Sequence, residues 1–277
     1  MTADIDYEVE YNNRARVPEN PALIAGWARD AAAYRERHAP RSIPYGPGAR
    51  NTIDFFPAEN ESPDNQHPIV VFIHGGYWQA LDGSFFSHLA GGLNAHGISV
   101  AIPTYDLCPA VTVDQIIPQM RMASRELARL GRRLVMAGHS AGGHLAACML
   151  ATDWQAFDAL LPEDLVIAAY AISGLFDLKP LVDTSINKAL GLDHTAARSA
   201  SPLFWIPPEQ GSLDAVVGEN ESPEYFRQSR SIVDAWAAAG VATRFGTVLG
   251  ANHFTAIAPL ADPNSAMVLR LKQLATC

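Results

Sequence analysis

The chain has 277 residues, 48% of them hydrophobic, enough to bury a large core, and α/β architectures of this length routinely form one domain. A formal net charge of −9, with no run of Lys or Arg, excludes a phosphate backbone or an anionic membrane surface as partner, because either needs a basic patch to displace counterions. Cys108, Cys148 and Cys277 are odd in number and widely spaced, which argues against a disulfide framework or a zinc cluster, and they read as reduced thiols.

Along the chain, the opening MTADIDYEVEYNNRARVPEN is acidic and lacks the apolar core of a secretory signal. No apolar stretch reaches the ~20 residues that span a bilayer, so the expected location is the cytoplasm. Residues 1–40 form a polar arm with helical periodicity only from Pro21 to about Tyr34. Ile43 to Phe56, broken by Pro44, Gly46, Pro47 and Gly48, suits an antiparallel hairpin. Ile69 to Ile73 is a continuous apolar run of the kind buried on both faces of a parallel sheet. Further apolar strands are expected at Ile98 to Ile102, Leu134 to Ala137, Leu165 to Ile172, Ala215 to Val217 and Thr243 to Val248. Two of the intervening helices are well marked. Thr112 and Gln115 form a capping box before an apolar stripe that ends at Gly131, with Pro118 as a blemish. Ser222-Pro223 places an N-cap candidate before a proline at the first helical position. The alternation predicts a mostly parallel, doubly wound α/β sheet of about eight strands over residues 1–277, with a small cap at about 178–208.

Gly138-His139-Ser140-Ala141-Gly142 lies between an apolar strand and a helix of small residues, the context of a nucleophile elbow in the α/β-hydrolase fold. Glycine at 138 and 142 lets so sharp a turn close, with the Ser140 hydroxyl thrust above the sheet. His74-Gly75-Gly76-Tyr77-Trp78 ends the first long strand, where amides can be aimed at a developing oxyanion. Either Gly75 and Gly76, or Gly76 and Tyr77, would form that hole together with Ala141, each donor contributing about 3–4 kcal/mol of transition-state stabilisation. Triad partners in this fold follow in the order acid, then base. His253, after the strand Thr243 to Val248, fits the base. Glu221, three past Gly218, is the first choice of acid; Asp177, Glu219 and Glu224 compete. Substrate-contact candidates are Tyr77, Trp78, His139, Phe176 and Asn187, with Trp205 as a further apolar wall. His139, His144, His88 and His96 show no metal-binding spacing, and His144 reads as a packed histidine.

These motifs resemble the arylformamidase (kynurenine formamidase) family, which is related to esterases carrying an H-G-G-x-W oxyanion motif. The resemblance rests on residues 74–78 and 138–146, on Ser173-Gly174-Leu175-Phe176-Asp177-Leu178 followed by Thr184-Ser185-Ile186-Asn187, on Val217-Gly218 through Tyr225, and on His253-Phe254. It implies hydrolysis of formylkynurenine to kynurenine and formate without a cofactor. One departure is Glu221, where the family usually has aspartate. The longer side chain reaches a histidine only if its loop sits back. Rival readings are a carboxylesterase or a carbamate or amide hydrolase for another small aromatic compound, and a non-catalytic binding protein on the same fold. The expected partner is thus a small aromatic acyl substrate, with no nucleic acid and no membrane, and assembly as a homodimer is left open.

Overall fold

A computed structural model describes residues 5–58 and 67–276, so the reading of Cys277 lies outside the described residues. Eight strands make one sheet: β1 (Arg41–Pro44), β2 (Thr52–Phe56), β3 (Ile69–Ile73), β4 (Val100–Thr104), β5 (Leu134–His139), β6 (Val166–Ile172), β7 (Ser212–Gly218) and β8 (Ala242–Val248). Their order is β1-β2-β4-β3-β5-β6-β7-β8. The β1–β2 and β2–β4 pairs are antiparallel and all later pairs parallel. The chain therefore builds outward from β3 to β4 and then reverses direction through β5. Between β3 and β5 lies the switch point, outside whose strand ends ligands bind in open α/β sheets.

β3 is apolar at every position because both faces of the sheet are covered. Ile69, Val71 and Ile73 enter one apolar cluster, and Val70 and Phe72 the other. Burial of such side chains contributes about 1.5–3 kcal/mol each. The expected hairpin forms as β1 and β2. β4 starts two residues later than the apolar run suggests, and Pro103 lies inside it, facing Ile53 of antiparallel β2. The helix Val113–Ala128 begins at Thr112, whose amide donates to the Gln115 side chain at 3.1 Å, and runs through Pro118. The helix Pro223–Ala238 starts where expected but by other means: Ser222 makes no capping bond, and its buried hydroxyl has no partner among the described residues.

The region of residues 178–208 holds short helices, Asn187–Leu190 and His194–Ser199 among them; Leu190, Ala197 and the intervening Leu192 join the apolar cluster on one sheet face. Residues 5–40 are more ordered than their polarity suggests. Helices Tyr7–Tyr11 and Asn13–Arg16 precede Asn20–Arg37, and Tyr11 and Trp27 pack into the two clusters. No helix among the described residues is long and apolar enough to cross a membrane.

Two helical glycines differ sharply in packing tolerance. A Cβ on Gly142 would stand 1.9 Å from the Ile73 carbonyl oxygen, whereas one on Gly26, inside the helix Asn20–Arg37, meets nothing nearer than Arg29 at 3.6 Å. Gly142→Ala should therefore cost about 3 kcal/mol in denaturant unfolding, by overpacking rigid backbone. Gly26→Ala should gain about 0.5–1 kcal/mol from helix propensity. Equal midpoints for the two variants would contradict this account.

Candidate active site

β5 ends in a turn too tight for side chains beside it. A Cβ on Gly138 would lie 2.1 Å from the Gly142 carbonyl oxygen. Ser140 sits between them at φ 56 and ψ −118, left-handed backbone that a side chain rarely adopts, and the helix Ala141–Leu150 begins immediately after it. Its amide donates to the Ile172 carbonyl at 2.8 Å, which fixes the turn against β6. A non-glycine residue held in such a conformation points toward function.

The adjacent loop after β3 is equally constrained. A Cβ on Gly75 would approach the Ser140 Cβ to 3.0 Å, so glycine lets this backbone lie against the serine. Gly76 (φ 107), Tyr77 (φ 50) and Trp78 (φ 55) all have positive φ. His74 anchors the loop from below. Its ring stacks on Tyr105 with centroids 4.2 Å apart, and burial lowers its pKa to about 4, so the neutral ring donates from Nδ1 to the Gly75 carbonyl at 2.8 Å. Tyr105 in turn donates to the His74 carbonyl at 2.9 Å.

His253 follows β8 and meets Glu221, which follows β7: Nδ1 lies 2.6 Å from Oε2. The other carboxylate oxygen, Oε1, accepts the Gly218 amide at 2.7 Å and the Ser173 hydroxyl. The extra methylene of glutamate is taken up by curling back over Gly218, where a Cβ would stand 2.9 Å from Oε1. This is how the longer acid reaches the histidine. The competing carboxylates are engaged elsewhere. Asp177 pairs with Arg227 at 3.7 Å, Glu219 accepts the Gly250 amide at 2.7 Å, and Glu224 takes the Tyr11 hydroxyl at 2.7 Å and Arg227 at 2.8 Å. With Nδ1 on a carboxylate, the neutral imidazole of His253 leaves Nε2 as its acceptor. The Tyr225 ring lies 4.7 Å from the imidazole, centroid to centroid. The His253 carbonyl accepts from His139 Nε2 at 2.8 Å. Burial, reinforced by His253, holds the His139 pKa well below its usual value, so that ring is neutral.

Ser140, His139 and His253 share a cavity of about 360 Å³ with Gly75, Gly76 and Tyr77. Ala141 lies in the core at the first turn of its helix. The remaining wall corrects the expected substrate contacts. Trp78 is buried edge-on to His144, with ring centroids 5.0 Å apart. Phe176 is buried beneath Gly174. Asn187 is consumed locally, donating to the carbonyls of Val182 (2.9 Å) and Leu192 (2.8 Å) and accepting the Leu192 amide at 2.8 Å. Trp205 donates to the Ser199 carbonyl at 2.7 Å. None of the four lines the cavity. Their place is taken by Trp27, Phe86 and Phe254, and by the arm through Glu8, Asn13 and Arg14. His144, its Nε2 donating to the Ala200 carbonyl at 2.6 Å, is a packed histidine whose pKa burial lowers to about 4.

The arm is tied in by a buried polar network. Asn13 Nδ2 donates to the Tyr225 hydroxyl at 2.7 Å and to Tyr77 at 3.3 Å, the two phenols lie 2.7 Å apart, and Tyr77 donates to the Tyr11 carbonyl at 2.7 Å. Among the described residues no group of three or more His, Cys, Asp or Glu side chains could hold a metal ion.

A family model described as the α/β hydrolase fold matches residues 70–207. Kynurenine formamidases of Danio rerio and Drosophila melanogaster are each 32% identical to this chain over 80% of its length, and over 77% and 76% of their own. A solved structure from Silicibacter sp. TM1040, described as a candidate thioesterase, is 33% identical, with a TM-score of 0.85 covering 99% of this chain and 100% of that one. An esterase of Pyrobaculum calidifontis shares the fold at 18% identity, with a TM-score of 0.70 covering 92% of each chain. Fold and relatives together define a hydrolase of the α/β-hydrolase class. Within that class, the chain belongs to the kynurenine formamidase family.

The Asn13 network generates a prediction. Asn13→Ala removes one buried donor from each phenol, leaving Tyr77 on the Tyr11 carbonyl and Tyr225 on Tyr77, so it should lower unfolding stability by about 1–3 kcal/mol. Limited proteolysis should then cut within residues 5–20 before any other site. An unchanged midpoint with a protected arm would show that the network does not hold the arm in place.

Proposed function

We propose that this chain is a serine hydrolase that removes a small acyl group from an aromatic amide or ester, with N-formylkynurenine as its first substrate. The observation that carries the reading is the 2.6 Å contact between His253 and Glu221, which leaves Nε2 as the acceptor in a cavity shared with Ser140. Membership of the formamidase family supports the substrate. Cys108 and Cys148 are buried free thiols, which suits the reducing cytoplasm we assign to the enzyme.

In this mechanism the Ser140 hydroxyl attacks the substrate with His253 as its base. Nε2 takes the proton as Oγ attacks the formyl carbon, and the carbonyl π electrons move onto oxygen. Gly75 and Gly76, or Gly76 and Tyr77, together with Ala141, donate N–H groups to that oxyanion. Glu221 stays ionised and stabilises the imidazolium, which Gly218 and Ser173 assist by holding its second oxygen. The tetrahedral intermediate collapses, the C–N bond breaks, and His253 delivers the proton to the departing aryl amine. Water, deprotonated by His253, attacks the formyl-serine ester; formate leaves and Ser140 regains its proton. Trp27, Phe86 and Phe254 offer an apolar wall for the aromatic portion. A carboxylesterase or carbamate hydrolase would use the same steps with a different leaving group.

Ser140→Ala and His253→Ala should each lower kcat by about 10⁴-fold or more in a folded protein. Glu221→Gln should cost about 10³–10⁴-fold, because a neutral amide does not stabilise the imidazolium. Asp177→Asn should stay within a few-fold of the parent rate. A well-folded, active Ser140→Ala enzyme would sink the mechanism, and a crippled Asp177→Asn beside a healthy Glu221→Gln would transfer the acid role.

Acyl size is the second test. Comparison of kcat/KM for formyl and acetyl aryl substrates with an octanoyl ester should favour the small acyl groups by about tenfold or more. Preference for octanoyl would defeat the small-pocket reading. Turnover of aryl acetates or carbamates with formylkynurenine inert would favour the rival esterase or carbamate hydrolase.

A further inference from the structure

The cavity wall carries two side chains of fixed charge, Glu8 and Arg14, both from the arm. Their situations differ. Glu8 is spoken for: its Oε2 accepts the Ser185 amide at 2.6 Å and its Oε1 the Ser185 hydroxyl at 2.7 Å, which fastens the arm to residues 178–208. Those bonds hold its pKa below the usual carboxylate value, so it stays anionic while its oxygens face protein donors. Arg14 has no such employment. Among the described residues its guanidinium forms neither a hydrogen bond nor an ion pair, whereas its neighbour Arg16 pairs with Glu10 at 3.1 Å and donates to the Val9 carbonyl at 3.2 Å.

The backbone beneath Arg14 is nevertheless fixed. Asn13, one residue before, is anchored to Tyr225 and Tyr77, and Asn20 donates to the Arg14 carbonyl at 3.1 Å. The side chain is exposed, while Ser140 and His253 are buried, so Arg14 stands at the mouth of the cavity and the reacting groups at its floor. A guanidinium on this fixed backbone, with five donors and no acceptor among the described residues, matches a carboxylate in charge and geometry.

We propose that Arg14 binds an anionic group, a carboxylate, on the leaving portion of the substrate, so that the site selects acidic aryl formamides or esters over uncharged ones of the same shape. This rests on the acyl-hydrolase reading above. Arg14 acts on specificity and takes no part in bond making or breaking. Because the contact lies at an exposed rim, added salt weakens it.

The test compares Arg14→Ala and Arg14→Lys with the parent enzyme on two matched pairs: formylkynurenine with 2-formamidoacetophenone, and 3-acetoxybenzoate with phenyl acetate. Arg14→Ala should raise KM for the carboxylated member of each cleaved pair about five- to tenfold, with kcat within twofold and the uncharged member unaffected. Arg14→Lys should recover part of the loss, since it keeps charge but not the planar fork. The parent's preference for the charged member should shrink in 0.5 M NaCl, at about a 4 Å Debye length. Equal effects on both members, or none on either, would overturn the assignment. If the parent enzyme ignores both formamides but Arg14→Ala selectively impairs 3-acetoxybenzoate, the carboxylate site stands and the formylkynurenine reading fails.

Discussion

The site depends on one buried contact, the Glu221 carboxylate against the His253 imidazole. The Glu221 side chain is fully buried, and an ionised carboxylate without partners would be strongly disfavoured there. It is retained because three donors from three parts of the chain converge on it: Nδ1 of His253, the Gly218 amide and the Ser173 hydroxyl. The donors come from the segment after β8, the last residue of β7 and the residue after β6. These strands are neighbours in the sheet, and their parallel register brings their C-terminal ends to one edge. The local backbone bends to serve the contact. Ser173 takes a left-handed φ of 51, and Gly218 gives up a side chain where Oε1 must pass.

The same logic governs the other half of the floor. Ser140 and Gly75 meet because β3 and β5 are adjacent, with Ile73 opposite Gly138 in the ladder. Backbone approaches there are closer than any Cβ allows, so glycine at 75, 138 and 142 answers a steric demand. The histidines around the floor divide by their burial. His74, His139 and His144 are held neutral and spend ring nitrogens on backbone carbonyls. His253 has a carboxylate partner instead. A single carboxylate therefore distinguishes one histidine from three others in similar burial.

Much of this was legible from local pattern. Continuous apolar runs mark the parallel strands because both faces are covered, and G-x-S-x-G marks a turn whose sterics are local. β4 begins two residues past the start of its apolar run, because Ile98 is buried like a strand residue while the ladder begins at Val100. Glu221 and His253 stood out as candidates through their positions after late strands. The cavity wall was much less legible. Trp78 and Phe176 are as apolar as any wall residue, and only tertiary packing decides that they fill the core while Trp27 and Phe254 face the cavity. Asn13 and Tyr11 gave no periodic signal, since their partners Tyr225 and Glu224 lie more than 200 positions away. A polar arm with buried asparagine and tyrosine is visible only when its distant acceptors are known.

The division between floor and wall separates two kinds of constraint. Floor groups sit at the ends of sheet strands, where a shift of one residue in register would dissolve the contacts among Ser140, Gly75, Glu221 and His253. Much of the wall comes from elements outside the sheet: the arm, the helix Asn20–Arg37, the 3-10 helix Gly83–Leu89 and Ile186. A substitution there changes cavity shape and charge without touching the ladder. This is the physical basis on which a fold exchanges substrates while keeping its chemistry. Here the separation is incomplete, because Tyr77 belongs to the glycine loop after β3 and also bonds Asn13 and the Tyr11 carbonyl of the arm. Tyr225 likewise packs against His253 and bonds Asn13. These two phenols couple the wall to the floor, so a change in the arm that leaves them paired alters what the cavity admits. One that unpairs them disturbs the surroundings of His253 as well.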